Sequence, residues 1–161
     1  MRSFKKADKQ AAIVIPAVLV ASMFLAPDAE AHHGDTSQPS TYPVPAHYVE
    51  VEECIRMRES NSHWHSRNRS RQHLGAYQMT QALANGATYW MVKRGDIARY
   101  LKTSDVKKQR TFARKLRTTS VHKWAPWLQT AAFVRTMDGH AKNKAWSGLH
   151  HWAGGRWHCG R

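Results

Sequence analysis

The sequence predicts a small, mainly α-helical domain closed by one disulfide. Apolar residues recur at helical spacing in four segments, no segment shows the alternation typical of strands, and the chain contains two cysteines. A length of 161 residues is typical of one domain. Because 42% of the residues are hydrophobic and seven are tryptophans, the chain can form a core, which excludes a wholly disordered basic tail.

The first 31 residues have the three parts of a secretory signal peptide. Four basic side chains in the first ten residues precede the uncharged run AAIVIPAVLVASMFL, and Ala29-Glu30-Ala31 is an A-x-A cleavage pattern. The run is shorter than the ~20 residues that a membrane span needs. We therefore expect a secreted protein, extracellular or cell wall-associated, with no stable membrane span after cleavage; an uncleaved signal anchor is the alternative.

Residues 32–45 are rich in Pro, Ser and Thr and are predicted to form a linker. The folded domain is predicted to span residues 46–161. Its first helix is expected over 48–60, where Tyr48, Val51, Ile55 and Glu59 fall on one stripe of a helical wheel.

Three more helices are predicted after a polar loop at 61–73. The second covers residues 80–94, and the third is capped by Ser104 or Asp105 and runs to about residue 117. The fourth covers 127–137, with Pro126 in its first turn and Gly139 at its end.

Cys54 lies in the first predicted helix and Cys159 near the end of the chain. An even number of cysteines in an exported protein favours a disulfide, here Cys54–Cys159, with two free thiols as the alternative. No CxxC or zinc-binding spacing is present. The bridge would tie the C-terminal tail to the helix that carries Glu59.

Several short motifs occur in a recognisable order. Glu59-Ser60 precedes a polar loop, then Gly75-Ala76-Tyr77-Gln78-Met79, Thr88-Tyr89-Trp90 and finally Gly155-Arg156-Trp157-His158-Cys159-Gly160. This set resembles the lysozyme-like lytic transglycosylases, and most closely the transglycosylase-like domain of resuscitation-promoting factors. The chain departs from that family at Cys54, which is five residues before the glutamate rather than adjacent to it. It also departs at Asn61 and Ser62, which replace glycines, and at 91–125, which reads as a basic insertion.

The resemblance implies a peptidoglycan glycosidase that cleaves the β-1,4 bond between N-acetylmuramyl and N-acetylglucosaminyl sugars. Glu59 would be the catalytic acid and base, and no cofactor is implied. The outcome would be a 1,6-anhydro end in a lytic transglycosylase or a reducing end in a lysozyme-type hydrolase. The residues expected to contact substrate are Ser60, Gly75, Tyr77, Gln78, Trp146 and Trp152.

Physical chemistry supports a role for Glu59 independently of the resemblance. Cleavage of a glycosidic bond requires a proton donor to the leaving oxygen. A position on an apolar stripe and at a helix C-terminus favours a protonated glutamate, whereas Arg56 and Arg58 oppose this. No acidic residue lies between Glu59 and Asp96. A mechanism with one carboxylate is therefore favoured, although Asp96, Asp105 or Asp138 could approach through folding.

The net charge of +14 is compatible with nucleic acid, an anionic membrane surface, an acidic polymer or solubility alone. Residues 1–31 carry four basic and three acidic side chains, so cleavage would lower the charge only to +13. Residues 91–123 hold eleven Lys and Arg, which predict docking on anionic cell-wall polymers; a solvated helix face is the alternative. Export argues against nucleic acid. A non-catalytic wall-binding module and a cationic membrane-active protein remain competing functions.

The histidines give a weak metal signal. His63-x-His65 and His150-His151 lack a third ligand at a known spacing, so no metal is expected. Trp64, Trp90 and Trp157 are predicted to pack in the core, whereas Trp146 and Trp152 could flank a saccharide groove.

Overall fold

The computed structural model describes residues 40–139, 146–152 and 159. The predicted signal peptide and most of the predicted linker lie outside these residues. The end of that linker is corrected, because Tyr42 is buried. Its ring packs edge-on against Trp127 at a centroid distance of 4.8 Å, and its hydroxyl donates to Asp96. The folded unit therefore begins at or before Tyr42 rather than at residue 46.

The predicted fold class is confirmed, since the described residues are mainly helical and one disulfide joins Cys54 to Cys159. The described residues contain five α-helices, which we label in chain order: α1 (Val49–Ser60), α2 (Gln81–Lys93), α3 (Asp96–Leu101), α4 (Val106–Thr118) and α5 (Pro126–Met137). Short 3-10 turns are found at Ala46–Tyr48, Val121–Lys123 and Leu149–Trp152. The only β-type pairing in the described residues is two isolated bridges.

Helix α5 lies at the centre of the core because its sequence, PWLQTAAFVRTM, is small or apolar over most of its length. Nine of its twelve residues are buried. Helix α2 packs against α5 and also against α3 and α4. The basic insertion therefore contributes α3 and α4, which pack against α2 and against each other. Glu59 lies on α1, outside this insertion.

The helix starts follow local capping chemistry. Asp105, one of two predicted caps, accepts hydrogen bonds from the backbone N–H groups of Lys107 and Lys108 at 2.8 and 3.1 Å. Its neighbour Ser104 is not the cap. Thr80 caps α2 by accepting from the Leu83 N–H at 3.2 Å.

Helix α3 was not expected from the sequence. Its carboxylate Asp96 is completely buried and accepts two hydrogen bonds from Arg135 of α5, at 2.6 and 2.9 Å. Tyr42 also donates to Asp96. A buried charge is tolerated when it is paired in this way, so this cluster fastens α3 and the start of the domain to the central helix.

No helix among the described residues is both long enough and apolar enough to cross a membrane. The uncharged run at 11–25 lies outside those residues.

Candidate functional site

Glu59 occupies the last turn of α1. The helix ends at Ser60, and Asn61 and Ser62 both adopt left-handed conformations, with φ of 53° and 64°. The family that the motifs resemble has glycines at these two positions, and left-handed backbone is the conformation that glycine adopts most easily. The Glu59 side chain is 24% exposed, so solvent reaches its carboxylate.

Arg58 links Glu59 to the C-terminal segment. Its Nη2 and Nε donate to Glu59 Oε1 at 2.6 and 3.0 Å. The same Nη2 donates to the backbone carbonyl of Trp152 at 2.5 Å. The C-terminal segment is held near α1 a second time by the Cys54–Cys159 disulfide, whose Cα atoms are 5.6 Å apart.

A surface cavity of about 300 Å³ shares Trp152 with this junction. Two of the predicted substrate contacts, Gln78 and Trp152, are among its lining residues. Its other walls are formed by His73, Thr80, Leu83 and His151. The walls thus combine one tryptophan and one leucine with polar side chains that can donate and accept hydrogen bonds. Glu59 is not in the lining and connects to it through Arg58 and Trp152.

The turn that carries Gln78 is held by hydrogen bonds within the turn and by a buried side chain of α5. Gly75 has a φ of 76° and Gln78 a φ of 48°, and the Gln78 side chain donates to the Gly75 carbonyl at 2.9 Å. Buried Gln129 of α5 accepts from the Ala76 N–H at 2.9 Å. Its amide nitrogen donates to the carbonyls of Trp64 and Trp124. Gly75 is buried against Gln129, so it shapes the turn and has little surface to offer a substrate.

The prediction that Tyr77 contacts substrate is corrected. Tyr77 is completely buried, and its ring stacks on Phe133 at a centroid distance of 4.6 Å. Its hydroxyl donates to Glu52 Oε1 at 2.5 Å and also contacts Thr130 Oγ1 at 2.9 Å. Burial and the neighbouring Glu52 carboxylate raise the pKa of Tyr77 well above its usual value. Its function is therefore structural.

A buried polar network lies on the same side of α1 as Glu59. Glu52 Oε1 accepts from Arg56 Nε at 3.0 Å, and Arg56 Nη1 donates to Ser62 Oγ at 2.6 Å. The chain of contacts runs from Tyr77 in the core through Glu52 and Arg56 to Ser62, three residues after Glu59. It fixes the left-handed turn that ends α1.

The remaining predicted contacts lie in different surroundings. The Ser60 hydroxyl donates to the Arg56 carbonyl at 3.2 Å within α1. Trp146 is 38% exposed and packs edge-on against Tyr48, away from the lining of the cavity. Trp152 is buried, and its indole N–H donates to the Tyr77 carbonyl at 2.8 Å. Substrate contact by Ser60 and Trp146 stays a prediction.

The tryptophans that were predicted to pack in the core differ in how deeply they are buried. Trp64 is buried, as predicted. Trp90 is only half-buried and lies beneath Lys93, whose Nζ is 4.9 Å from its ring centre. Trp157 lies outside the described residues.

The three aspartates that could have supplied a second carboxylate are each engaged elsewhere. Asp96 and Asp138 bind Arg135, and Asp105 caps α4. Among the described residues, no group of three or more His, Cys, Asp or Glu side chains is arranged to hold a metal ion.

Sequence reasoning missed Glu52 and the cavity itself; it named Arg58 only as a charge near Glu59 and His151 only as part of a weak metal signal. Helical spacing could have identified Glu52, because it is seven residues before Glu59 and therefore lies on the same face of α1. His73 and His151 are far apart in sequence and meet only through the fold.

Comparisons with models of known protein families, with curated proteins and with solved structures give no match to this chain.

Proposed function

We propose that this chain is an exported peptidoglycan-cleaving enzyme that acts on the β-1,4 bond between N-acetylmuramyl and N-acetylglucosaminyl sugars. The observation that carries the proposal is the junction in which Arg58 joins Glu59 to Trp152 at the wall of the cavity. A partly exposed glutamate, joined through Arg58 to a cavity lined by a tryptophan and polar side chains, is suited to a sugar chain. The choice of peptidoglycan as the substrate rests on the ordered sequence motifs around Glu59 and on the family that they resemble.

Glu59 would act alone as acid and then base. In the first step its carboxyl proton passes to the glycosidic oxygen while the bond from that oxygen to the muramyl anomeric carbon breaks. In the second step the carboxylate removes the proton of the muramyl 6-hydroxyl, whose oxygen bonds to the anomeric carbon. The product is a 1,6-anhydro end, and Glu59 regains its proton. If water attacks instead, the product is a reducing end.

Arg58 has a defined part in this cycle. In the structure its guanidinium forms an ion pair with Glu59, whereas proton donation to the glycosidic oxygen requires a carboxyl group released from that ion pair. Because Arg58 already donates to the Trp152 carbonyl, a substrate in the cavity could draw the guanidinium away from Glu59.

The cavity would hold the sugar next to the cleaved bond. Gln78 can both donate and accept hydrogen bonds, and its backbone is fixed by Gly75 and by Gln129 below the turn. His73, Thr80 and His151 add polar groups to the same walls. The disulfide is compatible with action outside the cell, where cysteines remain oxidised.

Digestion of purified peptidoglycan by the oxidised protein tests this function. We expect soluble muropeptides from the unaltered chain and a loss of at least about a hundredfold in rate for Glu59→Gln, since general acid–base groups contribute roughly 10²–10⁴-fold. Glu53→Gln is the matched control, because Glu53 is an exposed glutamate of the same helix. Equal digestion by Glu59→Gln would contradict the proposal.

A non-catalytic wall-binding module is the second candidate. The observation in its favour is that Glu59 is ion-paired with Arg58 and is not among the residues that line the cavity. This candidate requires that the protein sediments with cell walls without releasing soluble fragments, and that Glu59→Gln sediments equally well.

A further inference from the structure

Helix α4 carries six exposed cations, of which Lys108 and Lys115 lie on one flank and the other four form a row. Four of its cations fall within about 80° on a helical wheel and repeat every ~4.5 to 6 Å along the axis. We call this set the α4 basic stripe, and all of its members are exposed: Lys107, Arg110, Arg114 and Arg117. The opposite side of the helix is buried through Gln109, Ala113 and Leu116.

The charge of the stripe is not cancelled by neighbouring acids. No ion pair among the described residues involves a side chain of α4. The helices beneath it contribute one acid, Asp96, which is buried and bound to Arg135. Asp105 lies at the N-terminal end of α4, where it accepts from backbone N–H groups. The other described acids lie elsewhere, on α1 or beside Arg135: Glu50, Glu52, Glu53, Glu59 and Asp138.

The stripe is also positioned by contacts within the domain. Arg117 Nε donates to Thr88 Oγ1 of α2 at 2.8 Å, which holds the C-terminal end of the stripe against the domain. Arg114 Nη2 lies 3.3 Å from Thr111 Oγ1 one turn away. The cationic side chains of the stripe are therefore carried by a packed helix about 20 Å long.

We propose that the α4 basic stripe binds a linear polyol-phosphate polymer of the cell wall. A straight row of cations fits a polymer that carries one charge on every repeat of its backbone. Arginine is suited to phosphate because its planar fork donates two parallel hydrogen bonds. The choice of a wall polymer over a nucleic acid rests on the extracellular location in the proposed function, but the binding itself needs no catalysis by Glu59.

The test is equilibrium binding of the oxidised protein to a soluble glycerol-phosphate polymer at several salt concentrations. We expect Arg110→Gln/Arg114→Gln to weaken binding at least about tenfold and to reduce the slope of log K against log salt by roughly one to two. The variant Arg110→Lys/Arg114→Lys should keep most of the salt slope. Arg69→Gln/Arg71→Gln is the matched control, since it removes two exposed arginines from the polar loop.

Three results would overturn the proposal. One is equal weakening by the two arginine pairs, which would indicate diffuse charge rather than a stripe. Another is the absence of binding to the glycerol-phosphate polymer at about 0.1 M salt, where screening is moderate. The third is tighter binding of polyglutamate or single-stranded DNA of equal charge. Glu59→Gln should bind like the unaltered protein, so failure of catalysis and failure of the stripe give different results.

Discussion

At the scale of single residues, the site depends on a few backbone turns that are held by hydrogen bonds from buried polar side chains. The left-handed residues after Glu59 are fixed by Arg56, and the turn before Gln78 is fixed by Gln129. The motifs around Glu59 and Gln78 are visible in the sequence because they are local. The burial of Tyr77 is not, because it depends on Glu52 and on α5.

Gly75 and Gly86 should respond in opposite directions to replacement by alanine. A Cβ at Gly75 would lie 2.2 Å from Gln129 Oε1, and the φ of 76° is unfavourable for alanine. We expect Gly75→Ala to lower the free energy of unfolding by about 3 kcal/mol, through backbone strain and loss of the Gln129 hydrogen bond.

Gly86 is the control because it lies in α2, and a Cβ added to it would have no neighbouring atom within 4 Å. Gly86→Ala should raise the free energy of unfolding by about 0.5–1 kcal/mol. Urea denaturation of both variants measures the difference. Equal effects of the two substitutions would contradict the described packing of the turn.

At the scale of elements, the sequence predicts α1, α2, α4 and α5 to within one or two residues, because each has an apolar stripe and a recognisable start or end. Helix α3 has only six residues, and its first residue is the buried Asp96. Its stability comes from Arg135, 39 residues away, so no local pattern predicts it.

The cap of α4 can be tested by replacing its two candidate residues. Asp105→Ala should lower the free energy of unfolding by about 1 kcal/mol, because two backbone N–H groups lose their acceptor. Ser104→Ala should change it by less than about 0.5 kcal/mol, as expected of an exposed residue that is not the cap. Thermal unfolding distinguishes them, and a larger loss for Ser104→Ala would contradict the assigned cap.

At the scale of the whole molecule, the C-terminal segment is brought to α1 by two contacts of different kinds. Cys159 is covalently joined to Cys54, and the Trp152 carbonyl accepts from Arg58. The cysteine pairing could be predicted from the even number of cysteines together with the predicted signal peptide. The cavity could not, because His73 and Leu83 meet His151 only after this segment has docked.

Reduction of the disulfide should therefore affect stability and the site together. The bridge spans 105 residues, and disulfides typically contribute about 2–4 kcal/mol. We expect a decrease of that size in the free energy of unfolding on reduction, together with weaker binding of peptidoglycan fragments. Cys54→Ser/Cys159→Ser should reproduce both effects and be insensitive to reductant. An unchanged denaturation midpoint after complete reduction would contradict this expectation.

The tyrosines make the folded state sensitive to alkali. Burial raises the pKa of Tyr42, Tyr48, Tyr77 and Tyr100 above the ordinary value of 10.0. A raised pKa in the folded state stabilises the protein fully below pH 10, and this stability is lost as the pH rises through the folded-state pKa values. We expect the denaturation midpoint to be stable from about pH 8 to 9.5 and to fall above about pH 10.

Tyr100→Phe tests the cause of this decrease, because only burial raises the pKa of Tyr100. The substitution should make the decrease above about pH 10 shallower with little effect at about pH 8. A midpoint that stays constant up to about pH 11 in the unaltered protein would contradict the assignment.

The most direct test of the central claim is mass spectrometry of the fragments that the protein releases from purified peptidoglycan. If Glu59 is the single acid and base, the unaltered protein and Glu53→Gln should release muropeptides that all end at the muramyl sugar. These ends should be 1,6-anhydro if the 6-hydroxyl attacks and reducing if water attacks, and Glu59→Gln should release neither. Release of the same fragments by Glu59→Gln would contradict the account.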